Sequence, residues 1–175
     1  MQTVTLAAGC FWCTQAIFER LKGVKRVVAG YAGGYTANPT YKDVTLGDSG
    51  HVEAVQITFD PEIMPFEDLL YVFWRIHDPT TKDRQDPDVG PQYRSVIFYH
   101  SLAHRKSAIR SKMLIEMEKL YRNPIITEII PFKNFYKAEG HHQNYYQKNP
   151  ASAYCKLVVD PKIQKLQQDF KDYLA

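Results

Sequence analysis

Five residues, Gly9-Cys10-Phe11-Trp12-Cys13, constrain this chain more than any other stretch. They follow an apolar run at 4–8 and precede a segment whose Cys13, Ile17 and Leu21 share one helical stripe, with Thr14, Glu19 and Lys22 elsewhere. The order reads as strand, tight turn, helix: Gly9 makes the turn, Cys10 sits at the helix N-terminus and Gly23 caps the end. Unpaired N–H groups and the positive end of the helix dipole stabilise a thiolate there, so the Cys10 pKa is expected to fall. Phe11 and Trp12 beside such a thiol are either core residues or the walls of an apolar pocket.

The rest of the chain reads as interleaved strands and helices. Strands are expected at 24–32, 51–59, 95–99, 127–130 and 157–159. A helix starts at Pro65 with Phe66, Leu69, Leu70, Phe73 and Ile76 inward. Another, capped by Ser101, runs to about Tyr121 with Ile109, Met113 and Leu120 inward. Residues 138–148 read as helical, and a last helix carries Ile163, Leu166, Phe170 and Leu174 on its stripe. The span 79–94 reads as a long irregular loop, the kind that usually carries function. Strict strand–helix alternation is missing, so a doubly wound parallel sheet is excluded. The expectation is an α+β two-layer sandwich, a mixed sheet with packed helices around a ferredoxin-like core with extensions. At 175 residues, one catalytic domain spanning 1–175 is expected.

Within 51–59, period-2 geometry puts Glu53 on the face of Val55, Ile57 and Phe59. Glu53 is then either a buried acid with a raised pKa or a solvated strand end. A net charge of +3, scattered along the chain, argues against nucleic acid and membrane partners. No leader and no bilayer-length apolar run is visible, which points to the cytoplasm. Three cysteines cannot make a fully paired disulfide framework, so a reduced or catalytic use is expected.

Several chemistries fit these residues. Cys10-x-x-Cys13 has the spacing of a general thiol–disulfide oxidoreductase, although neither intervening residue is Pro or Gly. A zinc site built from Cys10, Cys13 and two of His141, His142 and Cys155 lacks a second C-x-x-C and an H-x3-5-H, so no metal is expected. A module that only binds methionine-containing segments would need an inert Cys10. The remaining reading is a Cys10 nucleophile working with Glu53 as a protonated acid.

Several separate motifs then carry one resemblance. Gly9-Cys10-Phe11-Trp12, the loop from Gly34-Tyr35-Thr36 to Asn38-Pro39-Thr40-Tyr41, and Gly50-His51-Val52-Glu53-Ala54-Val55 open the set. His77-Asp78-Pro79-Thr80, Arg84-Gln85, Asp88-Val89-Gly90-Pro91-Gln92-Tyr93-Arg94-Ser95, Ala138-Glu139 and His142-Gln143-Asn144-Tyr145 complete it. Over nearly the whole chain, and in the same order, these residues resemble the class A peptide methionine sulfoxide reductases. The resemblance implies a cofactor-free reductase of the S epimer of methionine sulfoxide, free or in proteins, recycled by thioredoxin. It implies that Cys10 attacks the sulfoxide sulfur and that Phe11 and Trp12 hold the S-methyl group. Glu53 would protonate the sulfoxide oxygen, Tyr41 and Tyr93 would donate hydrogen bonds to it, and Asp88 would order water or orient its neighbours. His51, Arg94 and His142 are expected to give structural support.

The product would be methionine and a Cys10 sulfenic acid, which a second thiol must resolve. In one common pattern of that family the resolving Cys lies in a glycine-rich tail. Here no Gly follows Cys155, and Cys13 stands where many relatives have Gly. Residues three apart on a helix have Cβ atoms roughly 5–6 Å apart, near the ~3.5–4.5 Å a disulfide needs. Cys13 is therefore expected to resolve first and Cys155 second. The chain is expected to act as a monomer.

Overall fold

The computed structural model describes residues 1–175. Its centre is a six-stranded sheet formed by β1 (Gln2–Ala7), β2 (Val24–Ala32), β3 (Val52–Phe59), β6 (Val96–Tyr99), β7 (Glu128–Pro131) and β8 (Phe135–Lys137). The strand order is β7-β6-β1-β3-β2-β8. All pairs are antiparallel except β6 with β7, so the sheet is mixed. Two further strands, β4 (Arg84–Gln85) and β5 (Asp88–Val89), make a small separate hairpin inside the expected long loop.

Strand alternation divides the core in two. Val4, Leu6, Ala29, Tyr31, Val55, Ile57, Phe59 and Ile97 point to one face, where a large apolar cluster includes the helices α1 (Phe11–Phe18), α3 (Phe66–Ile76) and α6 (Asp160–Asp169). Ala7, Ala32, Val52, Ala54, Val96 and Phe98 form a thinner cluster on the other face, covered by Ile130, Phe132 and Phe135. The α+β sandwich is therefore as expected. No helix is long and apolar enough to cross a membrane.

Four expectations need correction. The helix after Cys10 is shorter and less one-sided than its stripe suggests. It ends at Phe18 with Glu19 as C-cap, and Thr14 and Gln15 are as buried as Cys13 and Ile17. Gly23 instead turns the chain into β2 in a left-handed conformation (φ +77°). The helix α4 (Leu102–Met117) has its expected Ser101 cap, whose hydroxyl accepts the His104 N–H. Its inward residues, however, are His104, Ala108 and Ile115, while Ile109, Met113 and Leu120 are 40%, 58% and 50% exposed. Contacts with α3 fix this face: the His104 ring packs on Phe66 with centroids 4.4 Å apart, and Trp74 donates its indole N–H to Ser111 at 3.0 Å.

The C-terminal third departs furthest. Residues 138–148 are not one helix: a 3-10 turn at Gly140–His142 is followed by a left-handed Asn144 (φ +53°) and a short α5 (Tyr145–Lys148). The side chain of Gln143 outcompetes helix formation by pairing with Ala29 as a strand residue would. It accepts the Ala29 N–H at 3.1 Å and donates to the Ala29 carbonyl at 2.8 Å. Residues 157–159 are not extended either, because Cys155–Val159 is a π-helical turn running into α6. Pro161 lacks the N–H that would bond the Leu157 carbonyl, and the widened turn sits directly before it.

Candidate active site

Gly9 adopts φ +90°, and a Cβ there would lie 2.6–2.7 Å from the Gln85 side chain, so only glycine lets the β4–β5 hairpin approach this turn. Cys10 follows as the N-cap of α1, accepting the Thr14 N–H and hydroxyl at its carbonyl. The thiol is 8% exposed and Cys13 2%. Burial, reinforced by the neighbouring Cys13 and Glu53, pushes the Cys10 thiol well up, whereas the neighbouring Cys10 draws Cys13 down. This corrects the expectation of an acidified Cys10: desolvation outweighs the start of an eight-residue helix. Of the two thiols, Cys13 is therefore the easier to ionise.

Glu53 sits on β3 opposite Tyr31 of β2 and is 1% exposed, which removes the alternative of a solvated strand end. Its Oε2 accepts the Phe11 N–H at 2.9 Å. Burial nevertheless raises the carboxyl to about 8, so Glu53 is neutral at pH 7. Both expected phenols gather around it. Tyr41, the first residue of α2 (Tyr41–Thr45), is pushed up to about 12, mainly by burial and then by Glu53, Cys10 and Asp88. Tyr93, closing a 3-10 turn at Pro91–Tyr93, is raised by burial and by Glu53, Tyr41, Asp88 and Cys10 in turn. Both are hydrogen-bond donors at any ordinary pH. Glu139 fixes Tyr41 from behind, accepting its N–H at 3.0 Å and the Tyr31 hydroxyl at 2.9 Å.

The aromatic pair divides its duties. Phe11 is 1% exposed and belongs to the core, touching the rings of Tyr31 and His142. Trp12 is half-buried and clamped. Tyr145 stacks on it at 3.6 Å and 6°, Tyr154 meets it edge-on, and its indole N–H donates to His142 Nδ1 at 3.1 Å. Because an indole can only donate, Nδ1 is the unprotonated nitrogen of His142. His51 and Arg94 brace loops: His51 accepts the Gly34 N–H and contacts the Thr36 carbonyl, and Arg94 donates to the Gly50 and Pro91 carbonyls.

Asp88, on β5, is raised by burial and accepts the Tyr154 hydroxyl at 2.7 Å. Tyr154 also lies 3.8 Å from the Cys13 sulfur. The neighbouring Cys155 is fully buried in the main core. Sequence reasoning quoted Glu139 and Tyr145 within motifs but gave them no role, and it gave none to Tyr154, whose one weak signal was its place beside a cysteine. No group of three or more His, Cys, Asp or Glu side chains is arranged to hold a metal ion. What the arrangement offers is a buried thiol pair, a neutral carboxylic acid and two phenol donors beside a fixed indole.

A family model described as peptide methionine sulfoxide reductase matches residues 2–174. The peptide methionine sulfoxide reductase MsrA of Thermus thermophilus is 49% identical over 99% of this chain and 97% of its own. Among solved structures, the reduced form of Mxr1 from Saccharomyces cerevisiae is similar with a TM-score of 0.80 and 38% identity, covering 88% of both chains. Mxr1 in complex with Trx2 is similar with a TM-score of 0.56 and 30% identity, over 82% of this chain and 84% of that one.

Proposed function

The chain belongs to the class A peptide methionine sulfoxide reductases and is an oxidoreductase of methionine sulfoxide, and from that premise we propose how its residues perform the reaction. One observation carries the reading: a carboxyl kept neutral near pH 7 lies beside a nucleophilic thiol. A sulfoxide sulfur becomes a good electrophile only as its oxygen, which carries much negative charge, is protonated. Glu53 is the acid for that proton.

The neighbouring Cys13, as thiolate, takes the Cys10 proton, and the Cys10 thiolate attacks the sulfoxide sulfur. The oxygen gains the Glu53 proton while Tyr41 and Tyr93 donate to it; such preorganised donors stabilise the charge that develops. The oxygen then passes to the Cys10 sulfur as the S–O bond to the substrate breaks. Methionine leaves and Cys10 becomes a sulfenic acid, so the sulfoxide is reduced by two electrons and the thiol oxidised by two. Trp12 holds the S-methyl group with Phe11 packed behind it, which selects the S epimer. Asp88 holds Tyr154.

The Cys13 sulfur then attacks the Cys10 sulfenic acid: the S–S bond forms, the Cys10 S–O bond breaks, and the oxygen leaves as water with the proton that Cys13 had taken. Cys155 is secondary, and a thioredoxin reduces the Cys10–Cys13 disulfide. The likeness to a relative held in complex with Trx2 supports this reductant. The test is methionine release with dithiothreitol and then with thioredoxin, using separated sulfoxide epimers. Release from the S epimer alone, with one disulfide formed per methionine, is expected. Disulfide exchange without methionine release would favour general thiol–disulfide chemistry instead.

A further inference from the structure

The central sheet ends in β7 on one side and in β8 on the other. The β8 edge is the nearer to the reaction centre. In the register, Glu53 of β3 stands opposite Tyr31 of β2, and Tyr31 stands opposite Tyr136 of β8. Two strand spacings therefore separate Tyr136 from Glu53, about 10 Å. The β7 edge lies three spacings from β3, and its pairing ends in Pro131.

The ladder between β2 and β8 decides which groups of β8 are used. It continues past Lys137, where Ala138 donates its N–H to the Ala29 carbonyl at 2.9 Å. Residues alternate in an antiparallel ladder, so Tyr136 turns its N–H and C=O toward β2. Phe135 and Lys137 turn theirs outward, where no group of the chain bonds them. Two donors and two acceptors in one row are open, the pattern that pairs with an extended main chain. There is room for one: a groove of about 390 Å³ lies between residues 38–40 on one side and β8 with Glu139 on the other. Both walls lead into the site. Thr40 directly precedes Tyr41, and Glu139 accepts the Tyr41 N–H at 3.0 Å.

We propose that the free edge of β8 binds the main chain of a polypeptide substrate, next to its methionine sulfoxide, as an added strand. This rests on the reading of the site as a sulfoxide reductase and says where a protein substrate is held. The occupant is a polypeptide because a main chain repeats N–H and C=O at the spacing that Phe135 and Lys137 present. The wall of the groove also holds the phenol that donates to the sulfoxide oxygen, so a strand docked there brings its sulfoxide toward Tyr41. Free methionine sulfoxide has no peptide bond and cannot use the edge. Main-chain pairing reads no side chains, which suits substrates that share only an oxidised methionine. Sulfoxides in extended segments are then better substrates than those in helices, whose N–H and C=O groups are already paired.

The test uses the full chain and a peptide of the S-sulfoxide with three residues on each side, the length of β8. Two isomers carry N-methyl groups on one or the other alternate set of flanking amides, and free methionine sulfoxide is the reference. Methionine release is followed with dithiothreitol, so that no protein reductant competes for the edge. One methylated isomer is expected to raise KM about three- to tenfold with kcat unchanged, and the other to match the plain peptide, because a docked strand turns only one set of amides toward β8. Lys137→Pro then locates the strand. An edge strand tolerates proline where the N–H faces out, and the ring pushes an added strand away. In Lys137→Pro the kcat/KM ratio of plain peptide to free sulfoxide should fall about three- to tenfold, and methylation should cost no more than about twofold. Equal KM for the plain peptide and both isomers in wild type overturns the proposal, as does equal loss in both isomers. A methylation effect undiminished in Lys137→Pro places the strand elsewhere and overturns it too. No methionine release from any substrate would instead overturn the reading of the site, and the proposal with it.

Discussion

Two walls meet at the Cys10 thiol, and they are built by different means. The first is regular: β1 delivers Gly9, α1 starts at Phe11, and the β2–β3 register sets Glu53 opposite Tyr31. The second, residues 138–159, contains only short turns and is held on by single side chains. Gln143 grips Ala29, Asn144 exchanges hydrogen bonds with Gln15, His142 receives the Trp12 N–H, and Tyr154 reaches Asp88. The regular wall excludes water well enough to keep a carboxylic acid neutral. The irregular wall orients what faces the substrate. Chemistry therefore depends on the first, and positioning and stability on the second.

The largest effect should come from the regular wall. Cys10→Ser removes the only sulfur at the turn and is expected to reduce single-turnover methionine yield to background while circular dichroism stays unchanged. Retained activity there, with loss in Cys13→Ser, would reverse the roles of the two thiols.

Glu53→Gln comes next, because an amide donates a hydrogen bond but gives up no proton. Loss of a general acid costs about 10²–10⁴-fold in rate, to be read by stopped-flow formation of the sulfenic acid. In wild type the Glu53-dependent rate should fall as pH rises through about 8. Stability should move as well. A carboxyl raised on folding contributes fully below its unfolded value of about 4.5 and loses that contribution as pH rises through about 8. The Gln variant carries no such loss. Its stability advantage should widen from pH 5 to pH 9, by on the order of 5 kcal/mol at most. Parallel pH curves for the two proteins would mean that Glu53 is ionised in the fold.

The same contrast explains what the sequence made legible. Period-2 alternation placed Glu53 on the apolar face, and a strand–glycine–thiol order placed Cys10 at a helix start, because both signals arise from backbone geometry within a few residues. The expectations of a helix over 138–148 and a strand over 157–159 failed: the first segment answers to a partner 114 residues away, Ala29 for Gln143, and the second is a π-helical turn set before Pro161. The expected drop in the Cys10 pKa failed for a related reason, since burial of the pair is a property of the assembled fold.

A smaller effect, on stability alone, should come from Gln143→Ala. The amide makes three hydrogen bonds to buried or half-buried backbone: two to Ala29 and one to the Ala138 carbonyl at 3.0 Å. Its loss removes those partners, though the Ala29 carbonyl still accepts the Ala138 N–H, for about 1–3 kcal/mol in urea denaturation, with the methionine yield per Cys10 unchanged at low temperature. A rate loss like that of Glu53→Gln would show that the irregular wall takes part in the chemistry.

The smallest effect is expected at Cys155. Its side chain is fully buried in the core, its N–H bonds the Ser152 hydroxyl at 3.2 Å, and it begins the π-helical turn that leads into α6. For its sulfur to reach Cys10, that turn must unwind and Tyr154 must leave Asp88. Cys13 lies in the first turn of the helix that Cys10 caps and needs only a small closure of that turn. Cys155→Ser should therefore leave the Cys10–Cys13 disulfide and the thioredoxin-supported rate within about twofold of wild type. It should cost about 1–3 kcal/mol, because a hydroxyl replaces a thiol where the surroundings are apolar. Cys155→Ala, which buries no polar group, separates that cost from any role in turnover. Cys13→Ser, by contrast, should yield at most one methionine per chain. If Cys13→Ser turns over at full rate with thioredoxin and Cys155→Ala does not, the irregular wall opens during every cycle and the division between the two walls fails.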